Sequence, residues 1–415
     1  MSKKLPTLFI QFSNALSASI VIPILPLLAV DHFGATAFQA ISLESSYYLT
    51  KLISTPYLAA LSDRYGRKPI FLFGQCGTFL GLILILGVAP ALNGTSWGSI
   101  QNLGIIILFL ARSLDGVTGG NSTIARIFLT EVLEKKEHTQ ALGQLAAMQG
   151  VGFILGPALG GMMATRFGFF APFACGAILS IGALLIISFF IPTKPPVRVA
   201  QDELNQSFGF DFKEIFRHPV YLKLAIIAFA GPLCFAAISP SLVLYVDHRF
   251  FNPANQWIMS DVSQFVGWMY TLVGICLVIS QLLLIKPIGR KLDDARITLV
   301  GQVGLSISFL AVPFFSSPYL FLAVLLAAVL FYGLIEPSLQ TLIVHASDDQ
   351  NVGKRLGMYA ALTSLANLLG PLWAGWLFQY FSPQSIWWVS SLLLIPTAII
   401  SLRLVNLKKP MAISA

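Results

Sequence analysis

Charge is what this sequence has least of. Asp, Glu, Lys and Arg make up 11% of the 415 residues, against 56% hydrophobic ones, with a mean hydropathy of +0.78. Soluble domains carry about a quarter charged residues, so a water-facing globule is excluded and lipid is the expected solvent. Cysteine is also sparse: Cys76, Cys175, Cys234 and Cys276 lie in apolar stretches without CxxC or His spacing. That pattern supports neither a disulfide framework nor a metal site, and the four read as small packing residues. No HExxH, P-loop or nucleophile-base-acid set is present, which argues against a membrane-embedded enzyme and calls for no cofactor. No connection is long enough for an added soluble domain, which argues against a transport-dead sensor or scaffold.

What is abundant is apolar sequence in helix-length pieces. Spanning the hydrocarbon takes about 20 such residues, because every backbone N–H and C=O must be satisfied within the segment. The pattern predicts an all-α membrane protein with spans near 5–30, 37–62, 69–91, 102–130, 139–165, 169–191, 219–246, 261–288, 296–315, 318–345, 353–381 and 384–406. Met1-Ser2-Lys3-Lys4 runs straight into the first of these, which predicts a retained span rather than a cleavable signal.

Twelve spans put both termini on one side, and with that assignment only Arg166 and Arg249 fall on the other. Such asymmetry is the positive-inside signature, so cytoplasmic termini in an inner membrane are expected. The net charge of +8 then serves topology and not nucleic acid.

The longest cytoplasmic connection, 193–218, holds Pro195, Pro196 and mixed charge. It divides the chain into expected six-helix bundles at 1–192 and 219–415. An internal repeat supports the division. Leu142-Gly143, Ala146-Ala147 and Leu155-Gly156-Pro157 recur 214 residues later as Leu356-Gly357, Ala360-Ala361 and Leu369-Gly370-Pro371. Identities in register in the fifth span of each half predict a parallel duplication and pseudo-symmetric halves.

The loop after span two reads Leu61-Ser62-Asp63-Arg64-Tyr65-Gly66-Arg67-Lys68-Pro69, with Ala59 four residues before Asp63. Asp63 near one helix end and Arg67 at the start of the next can pair in one conformational state and separate in another. The plain alternative is a basic turn that only sets topology. A degraded copy, Gly289-Arg290-Lys291-Leu292-Asp293-Asp294, follows span eight. Span five contains Gly152-Phe153-Ile154-Leu155-Gly156-Pro157-Ala158-Leu159-Gly160-Gly161. Its glycines allow close helix approach, and Pro157 removes a backbone hydrogen bond.

The loop resembles the GxLaDrxGrkxxl signature of the major facilitator superfamily, with Ala59 in place of the first Gly. The span-five run resembles the gxxxGPxxGG pattern of its drug/proton antiporter branch. Ile22-Pro23-Ile24-Leu25-Pro26, Arg112 and Gly357-Met358-Tyr359-Ala360-Ala361-Leu362-Thr363-Ser364-Leu365 extend the similarity, which covers the whole chain, to tetracycline/proton antiporters. The resemblance implies a twelve-helix secondary transporter working by alternating access. Gating would rest on Asp63, Arg64, Gly66 and Arg67 and on Gly152, Gly156, Pro157 and Gly160. One departure is Asn14, where those carriers often place an acid, and a neutral amide cannot carry a proton.

Ionisable groups inside a span cost roughly 2.5–3.5 kcal/mol each on insertion scales and are therefore candidates for function. Lys51, Arg112, Asp115, Arg126 and Glu336 are the deep ones, and Glu44 is placed nearer the outer rim. Lys51 stands about 18 Å of helix rise from Asp63. At 100° per residue, Arg112, Asp115, Gly119, Ser122, Thr123 and Arg126 share one stripe of span four, and Glu44, Tyr47, Tyr48, Lys51 and Thr55 share one of span two. Tyr332, Glu336 and Gln340 do the same in span ten.

Glu336, just before Pro337, is the first candidate to carry a coupled proton, because desolvation favours a neutral carboxyl. Asp115 is the second. Lys51, Arg112, Arg126, Asn14, Tyr47, Gln340 and Asn367 are the substrate-binding candidates. Three cations against Asp115 and Glu336 would favour an anionic, carboxylate-bearing solute such as a siderophore. The competing readings are that Arg112 and Asp115 only neutralise each other, that Arg126 snorkels to the surface, and that the protein is a multidrug or tetracycline-type efflux antiporter. The expected partners are the solute, protons and lipid, with the protein acting as a monomer.

Overall fold

The computed structural model describes residues 4–88, 98–134, 137–193, 219–251, 259–346 and 352–405, and every element among them is helical. The 193–218 linker lies almost wholly outside the described residues.

The long helices are α1 (Lys4–Ile20), α2 (Ala37–Tyr65), α3 (Arg67–Val88), α4 (Gly98–Val117), α5 (Asn121–Val132), α6 (His138–Phe167), α7 (Ala171–Phe190), α8 (Pro219–Phe250), α9 (Met259–Ile279), α10 (Asp294–Ala311), α11 (Pro318–His345), α12 (Val352–Tyr380) and α13 (Ser385–Val405). Eleven helical stretches among the described residues are long and apolar enough to cross a membrane, with α4 and α5 counted as parts of one. The remaining one, α2, is long enough at 29 residues but carries Glu44, Lys51, Asp63 and Arg64. Its entry is built by a reciprocal cap. Gln39 N donates to Thr36 Oγ1 at 3.2 Å and Thr36 N donates to Gln39 Oε1 at 2.9 Å.

Three spans expected to be continuous are interrupted. Beyond Ile20 the chain turns through residues 21–24 before resuming at Leu25–Leu27 and Leu28–His32. Pro23 and Pro26, which cannot donate, fall in that stretch. Span four breaks at Thr118, Gly119 and Gly120, between α4 and α5, where a glycine-rich run carries little helix propensity. Span eight loosens into a π-helical turn at Ser280–Leu284. By contrast, α6 runs through Pro157 and α11 through Pro337 without interruption.

The chain forms two compact units, Met1–Ala200 with Phe251–Thr271, and Gln201–Phe250 with Leu272–Ala415. Inside the first, α1 packs on α6, α3 on α7 and α2 on α4. Inside the second, α8 packs on α12 and α10 on α13. The first-with-fifth and third-with-sixth pairings thus recur in both, matching the 214-residue repeat.

The α1–α6 seam explains the span-five glycines. Gly152 faces Ala15 and Leu16, Gly156 faces Ser19 and Ile20, and a Cβ on Gly160 would overlap the Ile20 carbonyl oxygen. Ser19 Oγ donates to the Gly152 carbonyl at 2.9 Å across the same contact. Gly370, the counterpart of Gly156 in the repeat, meets Leu233, Ala236 and Ala237 of α8 in the same way. Backbone cannot yield as a flexible side chain can, so Gly160→Ala is expected to separate α1 from α6. Its membrane abundance should fall severalfold relative to wild type, measured by fluorescence-detected gel filtration.

Candidate functional site

The first unit gathers charge around Arg112, which is 8% exposed. Its Nη2 donates to Glu44 Oε1 at 2.8 Å and its Nη1 to Asp115 Oδ2 at 3.2 Å. Thr78 of α3 donates to the other Asp115 oxygen at 2.8 Å. Tyr47 lies beside the guanidinium, with its ring centroid 4.7 Å from Arg112 Cζ and 5.1 Å from Lys51 Nζ. Lys51 donates to Tyr47 Oη at 3.1 Å, and Tyr48 packs edge-on against Tyr47 at 5.2 Å.

Glu44 therefore belongs to the Arg112 cluster. Its rise along α2 brings it level with Arg112 of α4, and a guanidinium offers two forks that can serve two carboxylates. Lys51 and Arg112 face Glu44 and Asp115, two cations against two anions. The cationic excess expected from setting Lys51, Arg112 and Arg126 against Asp115 and Glu336 is absent from this cluster.

Arg126 does not join it. The stripe projected through span four assumes an unbroken helix, whereas the turn at Thr118–Gly120 resets its register. Arg112 is buried and Arg126 is exposed. Ser122 instead turns toward α1. Gln11 Nε2 donates to Ser122 Oγ and to Gln149 Oε1 of α6, each at 3.2 Å. Asn14, one turn after Gln11, is half-buried.

At the end of α2, Gly66 adopts φ +91°, a backbone that side-chain-bearing residues rarely take, and it turns the chain directly into α3. Arg67 is 9% exposed and pairs with Asp63 at 2.5 Å. It also pairs with Glu131 of α5 through Nη2 at 2.5 Å and through Nε at 3.2 Å, and it donates to Ser62 Oγ. Arg64 is exposed and lies 5.4 Å from the Tyr65 ring centroid, outside this network. The degraded copy after span eight works differently. Asp293 caps α10 by accepting from Arg296 N at 2.8 Å, and both side chains are more than half exposed.

In the second unit, Gln340 Nε2 donates to Glu336 Oε1 at 3.2 Å, one turn apart on α11. Tyr359 of α12 interacts with both of them. One turn before Glu336, Tyr332 stacks on Phe235 of α8 with 4.1 Å between centroids and 3° between planes. Asn367 is half-buried on α12.

Two helical units with matching internal pairings, intramembrane ion pairs and a paired loop after span two describe a transporter scaffold. The family profile described as Major Facilitator Superfamily matches residues 7–252 and 241–413. The chain belongs to the Major Facilitator Superfamily. It is 25% identical over 400 residues to the class B tetracycline resistance protein of Escherichia coli, covering 92% of this chain and 90% of that one. It is 26% identical over 385 residues to multidrug resistance protein 2 of Bacillus subtilis, covering 90% and 88%. A solved D-xylose-proton symporter superposes with a TM-score of 0.73 at 14% identity, covering 96% of each chain, which speaks to fold alone. This superfamily transporter is thus a multi-pass membrane protein, and the curated relatives named above are tetracycline and multidrug resistance proteins.

Four partners escaped the sequence reading: Glu131, Thr78, Gln11 and Gln149. Glu131 was the most accessible of them, because it stands at the end of span four on the same side as Arg67. The two glutamines and Thr78 are ordinary residues whose roles come only from helix packing.

Proposed function

We propose that this superfamily member exports a lipophilic organic compound from the cytoplasm in exchange for protons, by alternating access. We further propose that it acts as a monomer in an inner membrane with both termini cytoplasmic and six spans in each half. The observation that carries the reading is the neutral balance around Arg112. With Glu44 and Asp115 both on the guanidinium and Lys51 beside them, this cluster sets two cations against two anions and offers no surplus positive charge to recruit an anion. A charge-balanced cluster flanked by the Tyr47 and Tyr48 rings suits neutral or cationic lipophiles better. The span-five signature and the tetracycline and multidrug resistance relatives support export.

Glu336 is assigned the coupled proton, because it is a deep acid that accepts a hydrogen bond from a neutral amide, Gln340. Asp115, held by Arg112 and Thr78, is the second choice. Anion uptake is kept as a second reading on one observation: Lys51 hydrogen-bonds to the neutral phenol of Tyr47.

Flux into liposomes with and without a pH gradient tests these assignments together. Wild type should concentrate tetracycline or a lipophilic cation only under the gradient. Glu336→Gln should still exchange the solute while losing uphill accumulation by at least about tenfold, the scale on which losing a coupled equilibrium of 1.4 kcal/mol registers. Uphill transport that survives this substitution would move the proton to Asp115. Selective carboxylate flux that is lost in Lys51→Ala would replace export of lipophiles with the anion reading.

A further inference from the structure

Buried amides normally satisfy both of their ends, since an unpaired polar atom shut away from water carries a penalty comparable to a lost hydrogen bond. Gln11 is 2% exposed, and its amide nitrogen is used twice, toward Ser122 and Gln149. Its Oε1 is buried and has no partner among the described residues. Asn14 repeats the situation with the opposite sign: its Nδ2 is buried and unpartnered among the described residues. The two residues are three apart on α1, so their Cβ atoms are neighbours on one helix face, about 5–6 Å apart. An unpartnered acceptor and an unpartnered donor, both buried, thus belong to residues one turn apart on α1, whose Gln11 is pinned to α5 and α6.

From this arrangement we propose that Gln11 and Asn14 form a neutral hydrogen-bonding subsite for a group that presents a donor next to an acceptor, such as a carboxamide or a hydroxyl adjacent to a carbonyl. The subsite rests on the export reading above and names the polar part of the solute it would take. Ser122 and Gln149 are positioning residues. They hold the Gln11 amide nitrogen, which leaves its oxygen as the free end. The charge of the solute is then irrelevant at this position, and selectivity comes from matching one donor and one acceptor. A solute without them would leave both protein atoms unpaired and gain nothing there.

Asn14→Leu is the cleaner test, because it removes an atom that bonds to nothing described in the protein. Gln11→Met keeps the side-chain length and removes the acceptor together with the two bonds that its amide nitrogen donates to Ser122 and Gln149. Two probes separate hydrogen bonding from packing: tetracycline, which carries a carboxamide and hydroxyl–carbonyl pairs, and tetraphenylphosphonium, which carries no hydrogen-bonding group. Binding to purified protein would be measured for each, with thermal melting to confirm that both variants are folded. Each substitution should weaken tetracycline binding by about tenfold, as loss of a desolvated hydrogen bond does, and leave tetraphenylphosphonium binding within about twofold. Tetracycline binding unchanged in both variants, or equal losses for both probes, would overturn the subsite. Wild type that binds tetraphenylphosphonium but not tetracycline would also overturn it while leaving the export reading in place. Wild type that neither binds nor transports either probe would count against both.

Discussion

Arg67→Ala should reduce solute flux roughly 5–150-fold, the span produced by 1–3 kcal/mol of conformational coupling, while membrane abundance stays near that of wild type. Arg67 joins three helices at this end of the first unit. It bonds to Asp63 on α2, to Glu131 on α5 and to Ser62, and it is itself the first residue of α3. Removing it leaves two carboxylates facing the gap it filled, so the state in which these helix ends are held together loses its adhesive and gains repulsion. Transport by alternating access needs both states populated, and a shift in their balance slows the cycle without unfolding the bundle.

Glu131→Gln and Asp63→Asn should each give a smaller loss in the same direction. Arg67→Lys should recover little, because an ammonium cannot make the paired contacts of the guanidinium with Glu131. Normal flux in a well-folded Asp63→Asn/Glu131→Gln double variant would remove this network from the mechanism and leave the loop as a topological signal only.

Much of the architecture was legible because lipid imposes a strong rule. Every spanning segment must be a long helix, and eleven such stretches among the described residues follow from hydropathy, while the more charged α2 is marked by its length. The α1–α6 seam was foreshadowed by Gly152, Gly156 and Gly160, whose spacing has little other use. What could not be read was local interruption. The break at Thr118–Gly120 depends on α3, which faces it with Gly74 and Gly77 and makes room for Asn121 and Thr118. The 100° projection carried Arg126 onto the Arg112 face only by ignoring that turn. The pairing of Glu44 with Arg112 was missed for a different reason: it depends on the offset between α2 and α4, which distance along α2 does not give. Long-range amide contacts such as Gln11 with Gln149 leave no trace in a single sequence, since glutamine on a helix is unremarkable until its neighbour is known.

Arg112→Leu should be the most destabilising single substitution in the first unit, lowering the melting temperature more than loss of either carboxylate. Breaking a buried ion pair by removing one partner costs roughly 3–5 kcal/mol, chiefly because the other charge is left behind. Here two are left behind, Glu44 and Asp115, which Arg112 bridges at 2.8 and 3.2 Å. Asp115 would keep only its bond from Thr78, and Glu44 would keep none of those described around it. Adding Glu44→Gln and Asp115→Asn to Arg112→Leu removes the orphaned charges, so the triple variant should regain most of the lost melting temperature. It should not regain transport, because a cluster with no ionisable group besides Lys51 can no longer change its pairing during the cycle. Stability and flux measured on the same preparations separate these roles. If the triple variant melts as low as Arg112→Leu, packing of the arginine stem against the Tyr47 ring and not its charge holds this part of the unit together. If the triple variant transports normally, the Arg112 cluster is structural and the coupling chemistry belongs to Glu336 alone.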